Sequence, residues 1–584
     1  MPTDTIYLVG TFNTRGIDGA AALTLAEDQR FLNTTFDVVK NPVTGKATVY
    51  AEKRQGWGQS SIPESGSAST GLIKPQSFAA EITAYGETNS TVYHGTISVG
   101  AITGRALHFT ETLINSVGCV AIKSSDGTGW YYMDGAKDDL TYVGDTHNGT
   151  AVIDSLDNTT GVYVGQAWSG TGVAAGARVL TVDSASQVTL NANSTADGTD
   201  ITFTKTPIAK ILDTDFAAST TYQSAFAAMD GYLFYATDNG RVNNSDLNSV
   251  SAYTANAYIS AQQAPDPTVA VAVQKNVVIG FGTASNEKFQ NAGFATAPLQ
   301  VIKSQVDHVG ALDQRSITTL EDDIYFVSTP SEGDVGVYLM RGLQSKRIST
   351  PHIDAIIGTT AANGAIYASS YRLGGYPYAA FTLSLAQDGP ASNLLLESGD
   401  ALLLESADNI LLEDTPAQTA SFVRQLVYNA ALDIWAEWDC DEATFVDSVG
   451  SGTSNQLVAT SRFKTDGKVY TINPVANGEL YQDDGVAYSM QIRTSRIDHG
   501  TSKRKFVEEI VLVGDRQSAG TATLECSDDD YATWTTLGTF DLTQMEPKIT
   551  RCGSHKGGRA YRLTHSFNGP FRGQALAIRY QVAA

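Results

Sequence analysis

The chain has 584 residues, beyond the size at which a single hydrophobic core keeps growing, so two to four folded units are expected. Hydrophobic residues make up 42% and charged residues only 17%; 53 Gly, 26 Tyr and many Thr and Val favour strands and turns, and sustained helical spacing is nearly absent. Thirty-nine basic residues against 62 acidic ones give a formal net charge of −23, which argues against a protein that grips nucleic acid through its phosphates. The same acidity suits either plain solubility or a wall past which DNA slides without sticking.

The N-terminus MPTDTIYLVG lacks a basic region followed by a long apolar core, and no run of about 18 apolar residues occurs. A soluble protein without membrane insertion is expected. Cys119, Cys440, Cys526 and Cys552 are far apart and show no zinc spacing. Free buried thiols are expected, with Cys526 and Cys552 the one pair that neighbouring strands would bring close.

In chain order, strand–turn–strand units stand at GWYYMDG (129–135), GYLFYATDNG (231–240), KNVVIGFG (275–282), 321–340, 363–383, 424–438 and 466–485. Asp238-Asn239-Gly240 supplies the φ > 0 positions of a tight hairpin and predicts a returning strand near Arg241. Ala270 to Gly280 reads as two buried strands joined at Lys275-Asn276. Spacings of about 40 to 50 residues are those of β-propeller blades, each needing its neighbours to cover its apolar face. Six to eight blades fit, and an array of β-sandwiches is the competing architecture.

Residues 144–205 interrupt the repeat with short strands between Gly, Ser and Asn clusters and read as a small inserted β domain. Residues 393–414 run NLLLESGD, ALLLESAD, NILLED, a period of eight that drifts around a helix and that Gly399 breaks, so three short strands are expected. Leu394, Leu395, Leu396, Leu402, Leu403, Leu404, Leu411 and Leu412 are candidate oligomer or docking contacts; the alternative is a meander capping its own propeller. Asp400 and Asp408 lack the dense oxygen-ligand loop that calcium requires. From Met490 the pattern changes, and Arg493, Arg496, Lys503, Arg504 and Lys505 form the one concentrated basic patch, suited to DNA, to an acidic partner, or to strand edges that resist aggregation. The expectation is an all-β chain: an N-terminal segment and the first blades within 1–143, an insertion at 144–205, the remaining blades over 206–489, and a β-sandwich-like domain over 490–584.

Several motifs taken together resemble a known family. They are Asp28, Arg30, Asn33, Asn41-Pro42, Gly45-Lys46 and Lys53-Arg54 with Gln55 before Gly56; Ser245-Asp246-Leu247, Pro265-Asp266, Phe281-Gly282, Glu287, Phe289, Gln290, Asn291 and Gly293; and Gly336-Val337-Tyr338 through Arg347-Ile348-Ser349-Thr350-Pro351. In this order they are similar to the tail hub, or nozzle, proteins of short-tailed bacteriophages, which include packaged-DNA stabilisation proteins. In that family a Pro usually stands where this chain has Gln55. The resemblance implies a virion protein assembled in the host cytoplasm. It further implies a homo-oligomeric ring, expected from that family to hold six copies, below the portal and adaptor. Such a ring retains packaged DNA, passes it through the lumen without tight binding, and contacts tail fibre or needle proteins.

No chemistry-bearing motif competes with that reading. Eight scattered histidines form no zinc pattern, and no nucleophile elbow, Walker loop or dinucleotide fingerprint occurs. No catalytic residue, cofactor or metal is assigned. Ser527-x-Asp529-x-Tyr531-x-Thr533-Trp534 resembles the Asp box of sialidases, a turn motif, with Tyr531 in the Gly position. Asp322-Asp323 and Asp483-Asp484 read as solvated hairpin turns rather than paired catalytic acids. The rival reading is a carbohydrate-binding or glycan-cleaving propeller used in host recognition.

Overall fold

The computed structural model describes residues 3–9, 29–40, 47–137, 140–217, 224–237, 239–261, 264, 266–303, 306–328, 335–361, 365–384, 423–448, 457–472 and 481–583. The leucine triplets with Asp400 and Asp408, together with Asp28, Asn41-Pro42, Gly45-Lys46, Asp238 and Pro265, lie outside these residues.

Among the described residues, seven four-stranded antiparallel units form a propeller. Blade 1 comprises Ser69–Ile73, Ile82–Tyr85, Thr91–His94 and Ile97–Ala101. Blade 2 comprises Ala106–Ile114, Val117–Ser124, Gly129–Met133 and the end of Gly198–Lys210. Blade 3 runs from Ala227–Met229 to Tyr258–Ser260, blade 4 from Thr268–Gln274 to Leu299–Val301, and blade 5 from Ile317–Leu320 to Gln344–Arg347. Blade 6 joins Ile366–Leu373 and Tyr376–Ser384 to Val423–Asn429 and Ile434–Trp438. In blade 7, Phe445–Ser448, Leu457–Thr460 and Val469–Thr471 are completed by Gly58–Ser61 from the other end of the chain. The first strand of each blade packs on the next blade around the circle, and blade 7 meets blade 1.

The blades cohere because neighbouring faces share apolar cores. Phe234 and Val242 of blade 3 meet Val271, Val278 and Phe289 of blade 4. Ile279 and Phe281 of blade 4 then meet Ile324, Phe326 and Met340 of blade 5. The turn chemistry behaves as the sequence predicts. Gly240 has φ of 74° and the return strand begins at Arg241, while Lys275 and Asn276, at φ of 47° and 60°, close the tight turn of blade 4.

Four features depart from the sequence reading. The unit at 424–438 is the outer half of blade 6 rather than a repeat of its own, and the blade at 69–101 had no signal among the predicted units. An α-helix, α1, spans Pro351–Ala361, where the sequence reading assigned no element; Pro351 sits at its first position, where the missing N–H costs nothing. Residues 3–53, read as part of an N-terminal segment grouped with the first blades, join the C-terminal strands.

Those terminal strands build two sheets. Thr34–Lys40, Ala47–Lys53 and Thr3–Tyr7 enter one sheet with Lys505–Gly514 and Arg572–Val582. The other is an extension of blade 6: Arg30–Leu32 lies parallel to its outer strand at Leu32 and Glu437, then pairs with Met490–Arg493. Phe31, Phe36, Met490, Ile492, Ile510, Leu524, Phe540, Leu576 and Ile578 fill the core of this terminal sandwich. The insertion grows from blade 2, because the 13-residue strand Gly198–Lys210 pairs with Thr141–Thr146 along one part and with Gly129–Met133 at its end. It has its own core, in which the Tyr142 and Trp168 rings stack at 5.4 Å beside Phe203.

Candidate functional sites: the axial cavity and the propeller–sandwich junction

A cavity of about 510 Å³ lies on the propeller axis, lined by the innermost strands of all seven blades. At about 30 Å³ per water it holds on the order of 17 molecules. Several of its polar groups are already engaged. Glu111 accepts from the Gln76 and Ser77 amides, both at 3.0 Å, and from Ser77 Oγ at 2.7 Å. Asp447 accepts from the Lys74 amide at 2.8 Å, and Arg315 pairs with Asp313 at 2.5 Å. A DNA duplex cannot thread a space of this size, so a DNA lumen, where one forms, lies between copies of the chain.

The second site is the junction of blade 6, blade 7 and the sandwich, centred on the fully buried Arg54. Its Nη1 donates to Asp483 Oδ1 at 2.9 Å and its Nη2 to Oδ2, forming a bidentate pair. Nε donates to Asn33 Oδ1 at 3.0 Å and Nη2 also to the Asp439 carbonyl at 3.0 Å. The guanidinium lies 3.9 Å from the Tyr488 ring centroid and 5.6 Å from that of Trp438. Asn33, at φ of 51°, accepts from the Asp439 amide at 3.0 Å and donates to the Ser489 carbonyl at 2.9 Å. Asp483 further accepts from the Trp57 amide at 3.0 Å, and a Cβ on Gly56 would come within 1.9 Å of the Gln482 carbonyl. Burial pushes the neighbouring Lys53 ammonium, with Arg54 beside it, down to about 8, while its Nζ donates to the Phe567 carbonyl at 2.8 Å. Asn33, Lys53, Arg54 and Gly56, separate motifs in the sequence, thus converge on one structural knot. The solvated-turn reading of Asp483 is wrong, because its carboxylate is buried as the counter-ion of Arg54. Asp323 and Asp484 do belong to hairpins, paired with Arg341 at 2.5 Å and Lys468 at 2.6 Å.

Several other motif residues also close turns. Asp266 accepts from the Ala284 and Ser285 amides at 2.8 and 3.0 Å, and Ser245 Oγ accepts from the Leu233 amide at 3.0 Å. Ser349 Oγ accepts from the Val337 amide at 3.0 Å, and Arg347 reaches Asp354 in the first turn of α1 at 2.6 Å.

Sequence reasoning also missed two convergences of titratable groups. Cys440, Glu442 and Asp483 bring a thiol and two carboxylates within 4.8 Å of one another. Burial holds the Cys440 thiol well above its usual range, and Arg54 and Lys464 already neutralise the two carboxylates. The donor set therefore reads as an ion-paired junction and not as a metal centre. Arg572 binds Asp37 at 2.5 Å, Glu52 at 2.6 Å and Asp515 at 2.8 Å beside a cavity of about 560 Å³ lined by Tyr376, Tyr378 and Tyr481. The clamp ties three carboxylates to one cation, which opposes their use as an acid and base pair. Only the local spacing of these residues is in the sequence, and no signal there brings them together.

The predicted basic patch divides. Arg493 lies in Met490–Arg493 opposite both Arg30 and Arg562, and its guanidinium sits 4.5 Å from the Tyr531 ring centroid. Arg496 pairs with Asp530 at 3.1 Å. Lys503 and Arg504 are exposed, whereas Lys505 is buried and donates to the Gly557 carbonyl at 3.0 Å. The Asp-box-like turn has the expected geometry: Ser527 Oγ donates to Asp529 at 2.8 Å, the Thr533 amide donates to Asp529 at 2.9 Å, and Tyr531 takes φ of 68° where the motif has Gly. All four cysteines are free and buried.

Compared with known proteins, residues 146–372 match a family model described as Phage_stabilise: Bacteriophage P22 Gp10, beta-propeller. That stretch runs from the insertion through blades 3 to 5 and α1 into the first strand of blade 6. No curated protein sequence matches the chain. Among solved structures, Chaetomium thermophilum Raptor is similar at 9% identity and a TM-score of 0.35, over 72% of this chain and 29% of that one. The chain thus spans less than a third of that protein's length. BBS1N in complex with ARL6DN is similar at 9% identity and 0.33, over 73% and 99%, and the WD40 propeller domain of Doa1 at 9% and 0.28, over 72% and 98%. At these scores the three carry no argument.

Proposed function

We propose, from the membership of this chain in the phage packaged-DNA stabilisation family through residues 146–372, that it is the tail hub or nozzle of a short-tailed phage. The family makes it a structural phage protein of the virion, with a role in the tail and in DNA stabilisation. The finer reading is a closed ring of six copies beneath the portal and adaptor, assembled in the host cytoplasm and contacting fibres or a needle. In that ring the protein acts without bond chemistry, retaining packaged DNA and forming its exit channel.

The match of residues 146–372 across the propeller carries the reading. The axial cavity adds a constraint: since one propeller is too narrow for DNA, the channel is built between subunits, and a net charge of −23 per copy keeps the duplex from adhering to its wall. The test is the solution mass by light scattering, with class averages of the same sample, alone and with the adaptor. A ring with an open axial channel is the expected outcome. A persistent monomer or trimer in both conditions overturns the ring, and turnover of host polysaccharide, abolished by Asp or Glu substitution in one cleft, turns the reading to a glycan-active propeller.

A further inference from the structure

The cavity of about 560 Å³ beside Arg572 opens between blade 6 and the terminal sandwich, and its size suits a small-molecule ligand. Its deepest lining is aromatic, with Phe36, Tyr378 and Phe571 all buried. Tyr376 from blade 6 and Tyr481 from the segment leading into the Arg54 knot line it as half-buried rings. The mouth is open, because Gly374, Asp515, Arg516 and Pro570 on its rim are exposed.

The charges of the lining cancel: Asp37, Glu52 and Asp515 stand against Lys53, Arg516 and Arg572. The two inner cations are committed. Arg572 holds all three carboxylates, and Lys53 Nζ donates to the Phe567 carbonyl at 2.8 Å, while Arg516 sits on the rim with its Nε on the Thr543 carbonyl at 2.6 Å. A phosphate therefore meets no uncommitted inner cation, and a metal ion would find Arg572 already in its place among the carboxylates. The carboxylates themselves are only partly used. Glu52 offers Oε1 to Arg572 and Asp515 offers Oδ2, and among the described residues Arg572 is the only donor to either side chain. Asp37 differs, giving Oδ2 to Arg572 and Oδ1 to the Tyr376 hydroxyl at 3.3 Å.

We propose that this cavity binds an uncharged saccharide of one or two pyranose rings without cleaving it. The C–H face of a pyranose packs on an aromatic ring, while its hydroxyls are donors that need acceptors, and the lining supplies both, in the tyrosines and in the second oxygens of Glu52 and Asp515. A lining without net charge suits a ligand without one. A nucleobase also stacks, but it brings few donors for those oxygens. Arg572 holds all three acids as its counter-ions, so none is left to serve as the proton donor or base that glycoside hydrolysis requires. The site lies within one chain, and the inference does not depend on the nozzle reading.

The test is saturation-transfer NMR on the full-length protein with glucose, galactose, mannose, rhamnose, N-acetylglucosamine and maltose, followed by calorimetric titration of the strongest binder. At least one of these sugars binds in a saturable way, and maltose is recovered intact. Tyr481→Ala and Asp515→Ala each weaken that binding about tenfold, the loss expected for one packing face or one charge-assisted hydrogen bond. Tyr258→Ala, in blade 3 under the Arg241 guanidinium, leaves it unchanged. Where Tyr481→Ala does not fold, Asp515→Ala decides, because its side chain is half exposed. Absence of binding by all of these sugars, or undiminished binding in the Asp515→Ala protein, overturns the site. Adenosine binding more tightly than every sugar overturns it in favour of a nucleoside, and release of glucose from maltose overturns binding without cleavage.

Discussion

At the residue scale, Arg54 shows why a buried ion pair is a poor source of net stability and a strong constraint. Desolvating the guanidinium and the carboxylate costs several kcal/mol per ion, and only the bidentate geometry with the Asn33 and Asp439 contacts returns it. Arg54→Met should therefore cost about 3–5 kcal/mol, because Asp483 is left as an unpaired buried charge. Arg54→Met combined with Asp483→Leu should recover most of that loss. Urea denaturation of the three proteins checks it; a double variant no more stable than the single one would show that the pair does more than cancel its own burial. His555 gives a pH prediction. Burial, and then the charge of Arg559, push its imidazole down to about 4, so it is neutral in the native state while the unfolded chain takes up a proton near its ordinary value of 6.5. The unfolded state binds more protons below that point. Stability is complete above pH 6.5 and is lost as pH falls towards 4, by up to about 1.4 kcal/mol per pH unit from this one group. His94 and His565 shift in the same direction for the same leading cause. Urea midpoints taken between pH 7 and pH 4.5 should fall, and more gently for His555→Asn, which keeps a donor for the Gly557 carbonyl.

At the element scale, the insertion is attached rather than integrated. Tyr142, Trp168 and Phe203 belong to a core separate from that of blades 1 to 3, and the insertion meets blade 2 through the continuous strand Gly198–Lys210, the pairing of Gln166 with Ala209 and the packing of Tyr163 on the blade core. Replacing residues 134–206 by a two-residue Asn-Gly turn should leave blade 2 paired, since Trp130–Lys210 and Tyr131–Ala209 remain in register. The expected result is an unchanged thermal midpoint within a few degrees; loss of cooperative unfolding would show that the insertion supports the ring. What was legible in the sequence divides along the same line. Hairpins were legible because Gly240 and the Lys275-Asn276 turn state their dihedral needs locally. The Asp-box-like turn was legible too, and its Tyr531 keeps the left-handed backbone while its ring covers Arg493. Helix α1 was not, because Ile353, Ile356 and Ile357 are β-branched residues of low helix propensity in a chain whose composition favours strands, and the pairing of Arg347 with Asp354 across its start is visible only in the fold. Nor was Asp483, whose partner lies 429 residues away: periodicity reports which face a residue takes, not which distant segment arrives there.

At the scale of the whole molecule, the path of the first 61 residues joins the two halves. The chain leaves the sandwich at Lys53, passes through the Arg54 knot, and five residues later supplies Gly58–Ser61 as the last strand of blade 7. Blade 6 meanwhile continues without a break into the sandwich sheet through Leu32 and Glu437. The ring is therefore closed by a strand whose anchor is the other domain, and neither half can open without loosening the other. Chains of this length ordinarily unfold in stages, domain by domain. Here the expected outcome is one calorimetric transition, with the fluorescence of Trp534 in the sandwich and Trp130 in blade 2 changing at the same temperature, each followed with the other five tryptophans replaced by Phe. Arg54→Met removes the buried ion pair from this crossing, beside the apolar cluster that the sandwich shares with blades 6 and 7, so the same two probes should separate, the sandwich melting first because its N-terminal strands have lost their buried anchor. Two separate transitions in the parent chain would mean that the terminal strands decorate the propeller instead of closing it, and the stability of the ring would then rest on the blade-to-blade cores alone.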